Sequence, residues 1–328
     1  MEGCVSTFAS RNRLLAHENL SNAIIVYGSV RSGTTMFRLM LGGHPDLLEI
    51  GEKRYILWHS DIGQDGTLRF NHRDLFVDRV FTKREFTRRP DLDGLDLVDD
   101  IVAQAKEENS GAAVITFHAE MGKILHIFPD SKLLHIVRDP RDVAASAMRL
   151  GWAGNAYFAA DFWLAAERDL ETARALIKPG QLLSLKYEDL ASAPEQKLRE
   201  VCAHLGLDFD PGLLSYSSRT TYDKPNQATI ESWRAKLSAA EVALVELRCG
   251  ALLEERGYTR ATKDTGPASR AKQAFLTWDN HIRKLDKDMK NYGVVNVLGA
   301  RISSKLGLLS ARDHFTNRIN RIMNEGLK

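Results

Sequence analysis

Gly28 and Gly33 frame the loop in "YGSVRSGTTMF", and Thr34 and Thr35 follow directly. Glycines permit a sharp turn, so successive backbone N–H groups converge at the start of a helix, whose dipole also favours an anion. The spacing is that of a phosphate-binding loop, but Thr34 stands where a nucleotidase carries lysine. Arg31 supplies a cation from inside the loop instead. Ser32, Gly33, Thr34 and Thr35 offer amides and hydroxyls to the same anion. Spacing alone leaves that anion unnamed, and a plain strand-to-helix turn has the same outline.

A second group lies in "SKLLHIVRDPRDVAASAMRL". Arg138 follows the apolar run Leu133–Val137, at the strand end where open α/β sheets bind ligands. Asp139 can cap the next helix and Pro140 suits its first turn. Ser146 falls two turns into that helix. Asp139 and Arg141 read equally well as a cap with a surface ion pair. The cysteines, Cys4, Cys202 and Cys249, are odd in number and lack metal-ligand spacing, so neither a disulfide framework nor a metal site is expected.

In order and spacing, "YGSVRSGTTMF", "LLHIVRDPRDVAASAM" and "LLSLKYEDLASAPEQKLREVCAHLGLDFDP" resemble the sulfotransferase family. The branch resembled holds bacterial and protein-tyrosine sulfotransferases. "ESWRAKLSAAEVALVELRCGALLEERGY" is similar to that branch's domain ending, so the resemblance runs from Ala23 to Tyr258. It implies a donor, 3′-phosphoadenosine 5′-phosphosulfate, and no metal. Carried over by residue, Arg31, Ser32, Gly33, Thr34 and Thr35 would hold the 5′-phosphosulfate. Arg138 and Ser146, at the family's Arg-x7-Ser spacing, would grip the 3′-phosphate, and Tyr187 would lie on the adenine side. The missing lysine then has a chemical account. A sulfuryl group carries fewer negative charges than a γ-phosphoryl group, so amides, Arg31 and threonine hydroxyls can stabilise it without a lysine–magnesium pair.

The acceptor, a hydroxyl or amine, must lose a proton as it attacks, which requires a base. Counted without gaps from Arg31, Glu52 falls on the glutamate that serves as base in protein-tyrosine sulfotransferases, and Arg54 on an arginine of the same motif. Glu49 takes that place if one residue is inserted. The family's "KTP"- or "KDP"-like element, whose lysine helps the leaving group, is absent from "AAVITFHAEMGKILHIFPDSK". His118 is the nearest substitute as acid or base, and Lys123 a weaker one. Two other readings stand beside sulfuryl transfer: a P-loop-like kinase or nucleotide transferase, and a non-catalytic module binding adenosine 3′,5′-bisphosphate.

The elements that must position these groups alternate along the chain. Short apolar runs predict buried strands at Ala23–Tyr27, Ala112–Thr116, Leu133–Val137 and Leu182–Leu185. Helical periods fall at Thr34–Leu41, Leu97–Glu107, Arg141–Arg149, Ala156–Leu176 and Glu195–Leu205. The alternation predicts an α/β fold, a P-loop-like and mainly parallel sheet flanked by helices. Gly51–Pro90 reads as a long irregular insertion that covers a site, and the polar, basic loop Ser217–Gln227 offers Arg219 and Lys224.

A linker near Thr265 divides a domain, 1–264, from a basic helical extension, 265–328. Within the extension, Arg270–Tyr292 and Arg301–Met323 read as helices separated by "GVVNVLG". The net charge is only +2, yet residues 260–328 hold 14 Lys and Arg against 6 Asp and Glu. Such a tail suits an anionic membrane surface, a cover for the site, self-association, or a solvated helical face. Nothing in the composition suggests a nucleic-acid partner, and the start lacks a signal-peptide pattern, so a cytoplasmic location is expected.

Overall fold

In a computed structural model the protein is described over residues 17–84, 86–107, 109–218, 227–263, 266 and 268–325. Strands run in chain order as β1 (Ile24–Tyr27), β2 (Leu47–Glu52), β3 (Ser60–Ile62), β4 (Leu68–Phe70), β5 (Ala112–Phe117), β6 (Lys132–Val137) and β7 (Leu182–Lys186). The longer helices are α1 (Thr34–Leu41), α2 (Gly94–Lys106), α3 (Met121–Ile127), α4 (Pro140–Leu150), α5 (Asp161–Ala173), α6 (Pro194–Leu205), α7 (Ala239–Cys249), α8 (Arg270–Tyr292), α9 (Val294–Lys305) and α10 (Leu309–Glu325). The chain divides into two units: Met1–Asp139 with Trp163–Glu231, and Pro140–Phe162 with Ser232–Lys328.

The first unit is built on a five-stranded sheet in the order β2-β5-β1-β6-β7, every pair parallel. All four residues of central β1 are buried, because both faces of the sheet are covered. Successive side chains alternate between those faces. Ile25 and Tyr27 join Ile115, Phe117 and Leu133 in one core beneath α2, α3 and α5. Ile24 and Val26 join Val114, Leu134 and Ile136 in the other, closed by Phe37, Met40 and Leu41 of α1 and by Leu198 and Val201 of α6.

Register decides what meets at the carboxyl edge. Tyr27 lies level with Phe117 and with His135, Glu52 with Thr116, and Val137 with Lys186. Gly28, His118, Arg138 and Tyr187 are each the first residue past a strand, so they gather along one edge. The chain also reverses direction across the sheet at β1, the switch point at which such sheets open a crevice.

The expected parallel α/β sheet is present, with differences. Gly51–Pro90 is not an irregular insertion. It holds the end of β2, the antiparallel pair β3–β4, and short helices at Arg54–Trp58, His72–Leu75 and Arg79–Thr82. Ala156–Leu176 is broken at Ala160 into Ala156–Ala159, α5 and a 3-10 turn.

In the second unit α8 is present as expected, but "GVVNVLG" does not separate two helices. It begins α9, and the breaks fall at Gly293 and Gly307, with φ of +85° and +67°. The boundary expected between residues 264 and 265, the loop residues Arg219 and Lys224, and Cys4 lie outside the described residues.

Inside this unit Arg141 is no surface partner. Its guanidinium meets Glu246 at 2.8 Å with both side chains buried, and stacks 4.1 Å over Trp233. Asp142 accepts from Ser232 Oγ and from the Trp233 amide. Asn155, in the turn after α4, donates to Leu276 O of α8, and Lys287 of α8 donates to Met148 O in the last turn of α4. Among the described residues, no helix is long and apolar enough to cross a membrane.

Candidate active site

The loop between β1 and α1 is shaped by two close approaches. A Cβ on Gly28 would lie 2.3 Å from Ile136 O, so only glycine lets the chain cross β6 there. Gly33 caps α1 at φ +90°, and a Cβ on it would lie 2.4 Å from the Tyr187 ring. Arg31 also takes a left-handed φ of +70°, a conformation in which a side chain is strained and which concentrates at binding loops. Its side chain is exposed, whereas Ser29, Ser32 and Thr34 are buried. Ser29 Oγ and Ser32 Oγ bridge the turn at 2.5 Å. The outcome is an amide-lined cup at a helix N-terminus with one cation at its rim, able to hold a tetrahedral anion.

Arg138 lies beside this cup. Its guanidinium donates to Arg31 O at 3.3 Å and to Thr229 O at 2.8 Å, and stacks 4.2 Å above the Tyr187 ring. Tyr187 is buried, and its hydroxyl meets Thr229 Oγ1 at 2.7 Å. The two carbonyls are neutral acceptors, so an anion arriving at Arg138 offers a stronger, charge-assisted bond. Thr229 was not singled out from the sequence, because a lone threonine in a polar loop carries no signal. Ser146 lies on α4, half-buried, in the second unit.

Glu52 and His118, far apart in the chain, are brought together because Glu52 lies level with Thr116. His118 Nε2 stands 3.5 Å from Glu52 Oε1, and His118 Nδ1 donates to Gly28 O at 2.8 Å. A carbonyl accepts only, so Nδ1 carries a proton. Nε2 then faces the carboxylate favourably when it is protonated too. His118 holds the Glu52 carboxyl below its usual value. Partial burial opposes this, while Arg38 and Arg54 add to it.

The rival groups are engaged elsewhere. Glu49 pairs with Arg38. Lys123 donates to Leu57 O and Ser60 O, both at 2.8 Å, and pairs with Glu120 at 2.6 Å. Arg54 stacks 4.3 Å over Trp58. Lys53, next to Glu52, is buried and donates to Ile50 O, and burial draws its ammonium down to about 7.

The family model for the sulfotransferase family matches residues 23–211. The chain is similar to the omega-hydroxy-beta-dihydromenaquinone-9 sulfotransferase of Mycobacterium bovis, 30% identical over 43% of this chain and 39% of that protein. It is similar to carbohydrate sulfotransferase 1 of Rattus norvegicus, 25% identical over 50% of this chain and 49% of that one. The matches thus span less than half the length of these curated relatives. In fold it is similar to the sulfotransferase domain of the curacin biosynthetic pathway, with a TM-score of 0.53 at 17% identity, covering 72% of this chain and 98% of that domain. A sulfotransferase domain from a Synechococcus olefin synthase gives 0.53 at 22% identity, covering 68% and 93%.

Proposed function

The chain belongs to the sulfotransferase family, and on that premise we propose that it transfers a sulfuryl group from 3′-phosphoadenosine 5′-phosphosulfate to a hydroxyl or amine acceptor. The observation that supports this reading best is the Glu52–His118 pair, anchored on Gly28 O at the start of the glycine-framed loop. The acceptor oxygen or nitrogen forms a bond to sulfur as the bond from sulfur to the bridging phosphate oxygen breaks in line. Adenosine 3′,5′-bisphosphate departs with that electron pair, and the acceptor's proton passes to Glu52.

Amides of Ser32 to Thr35, the threonine hydroxyls and Arg31 stabilise charge on the transferring group and its phosphate. Arg138 holds the 3′-phosphate, with Tyr187 beneath the nucleotide. His118 is a positioning residue: it aims Glu52 and keeps it ionised. Its nitrogens meet Gly28 O and Glu52, and on this reading the leaving charge falls to Arg31 and the loop amides.

The named relatives point to an acceptor panel containing a long-chain isoprenoid alcohol and an oligosaccharide. Incubating the purified protein with sulfur-labelled donor and this panel should give a labelled product identified by mass. Magnesium-dependent turnover of ATP instead would assign a kinase. Tight binding of adenosine 3′,5′-bisphosphate with no transfer to any acceptor would assign a non-catalytic module.

A further inference from the structure

In the second unit α9 buries Val297 but turns most of its large apolar residues outward. Asn296 and Ser303 are buried, and a Cβ on Gly299 would lie 2.6 Å from the Phe315 ring of α10. The face carrying Val295, Leu298, Ile302 and Leu306, spaced as one stripe of a helix, is turned outward and continues into Leu308 and Leu309. Val295 is 71% exposed, Leu306 66%, Leu309 62% and Ile302 55%. Contiguous apolar surface of this kind marks an interaction site.

Charge says what covers it. Lys290, Arg301 and Arg312 near this face pair with Asp286, Asp288 and Asp313. Residues 260–328 together nonetheless hold 14 Lys and Arg, Lys305 among them, against 6 Asp and Glu, so the net charge is positive. A second copy docked face to face would bring like charges together. An anionic headgroup layer supplies the opposite sign. The 12 residues of α9 extend about 18 Å, short of the roughly 30 Å of a bilayer core. A helix of this length and pattern lies in the interface, with apolar side chains among the acyl chains and basic ones at the headgroups.

We infer that the outward face of α9, with the Leu306–Leu309 corner, docks the protein on an anionic lipid surface. This inference does not depend on the transfer reaction, because its readout is binding alone. The test is flotation of the full chain with vesicles of phosphatidylcholine and phosphatidylglycerol, against vesicles of phosphatidylcholine alone. The protein should float with the anionic vesicles, and less so at high salt.

The double substitution Ile302→Glu with Leu306→Glu should lower the bound fraction by about tenfold or more, with an unchanged circular-dichroism spectrum and melt. Lys305→Glu, which leaves the apolar face whole, should weaken binding to anionic vesicles and reduce its salt dependence. The inference fails if the parent protein does not float, or if the double variant floats equally well. It also fails if light scattering shows a dimer that the double substitution splits while vesicle binding is absent, which would make a second copy the occupant.

Discussion

At the scale of single residues, one imidazole ring governs the charge of the site. With Nδ1 donating to Gly28 O, the ring is held with Nε2 toward the Glu52 carboxyl and draws that carboxyl's pKa down. Glu52→Gln should lower kcat by about 10²–10⁴-fold while calorimetric affinity for adenosine 3′,5′-bisphosphate stays unchanged. Because His118 draws the Glu52 carboxyl below its ordinary range, the acid limb of kcat/KM should lie lower than that of an ordinary glutamate. His118→Ala should move that limb upward in a pH–rate profile. The same sign applies to folding. The pair stabilises the protein above the carboxyl's unfolded pKa, and this contribution is lost as pH falls through the lower, folded value. Both residues could be picked out singly as candidates, Glu52 by ungapped counting and His118 from its place past a strand. Their partnership was not, because strand order and register are long-range facts that local periodicity does not carry.

Among the elements, the strand-to-helix turn was read correctly because glycine spacing reflects steric need. Gly33→Ala should impose both a left-handed side-chain conformation and a collision with Tyr187. Strain of about 1–3 kcal/mol should weaken adenosine 3′,5′-bisphosphate binding by roughly 5- to 150-fold, measurable by calorimetry, with a lowered Tm. The wholly apolar strands were equally legible. β2 was missed because "LLEIGE" interrupts its apolar run with Glu49, Gly51 and Glu52. A strand that carries a site breaks the pattern that would reveal it. α9 was missed for the opposite reason: its glycine-bounded, β-branched "GVVNVLG" looks like a break, yet tertiary contacts with α10 hold it helical.

On the scale of the whole molecule, alternating periods announced the parallel sheet, but nothing local announced the polar core of the second unit. Arg141 looked like a surface charge because its partner Glu246 lies 105 positions away. Burial pushes the Glu246 carboxyl up, but hydrogen bonds from Thr262 and Ala261, with Arg141, outweigh it and hold it low. Glu246→Gln leaves a buried guanidinium without its counter-charge and should destabilise the protein by about 3–5 kcal/mol, measured by denaturant unfolding. In the first unit, Tyr187 fills the space beside Gly33, carries Arg138 on its face and fixes its hydroxyl on Thr229. One rigid ring therefore sets the gap between the loop and the arginine, and the two behave as the jaws of a gauge. On the proposed reading, a nucleotide without the outer phosphate engages one jaw only. Donor choice would then be a measurement of length, made before any atom of the base is touched.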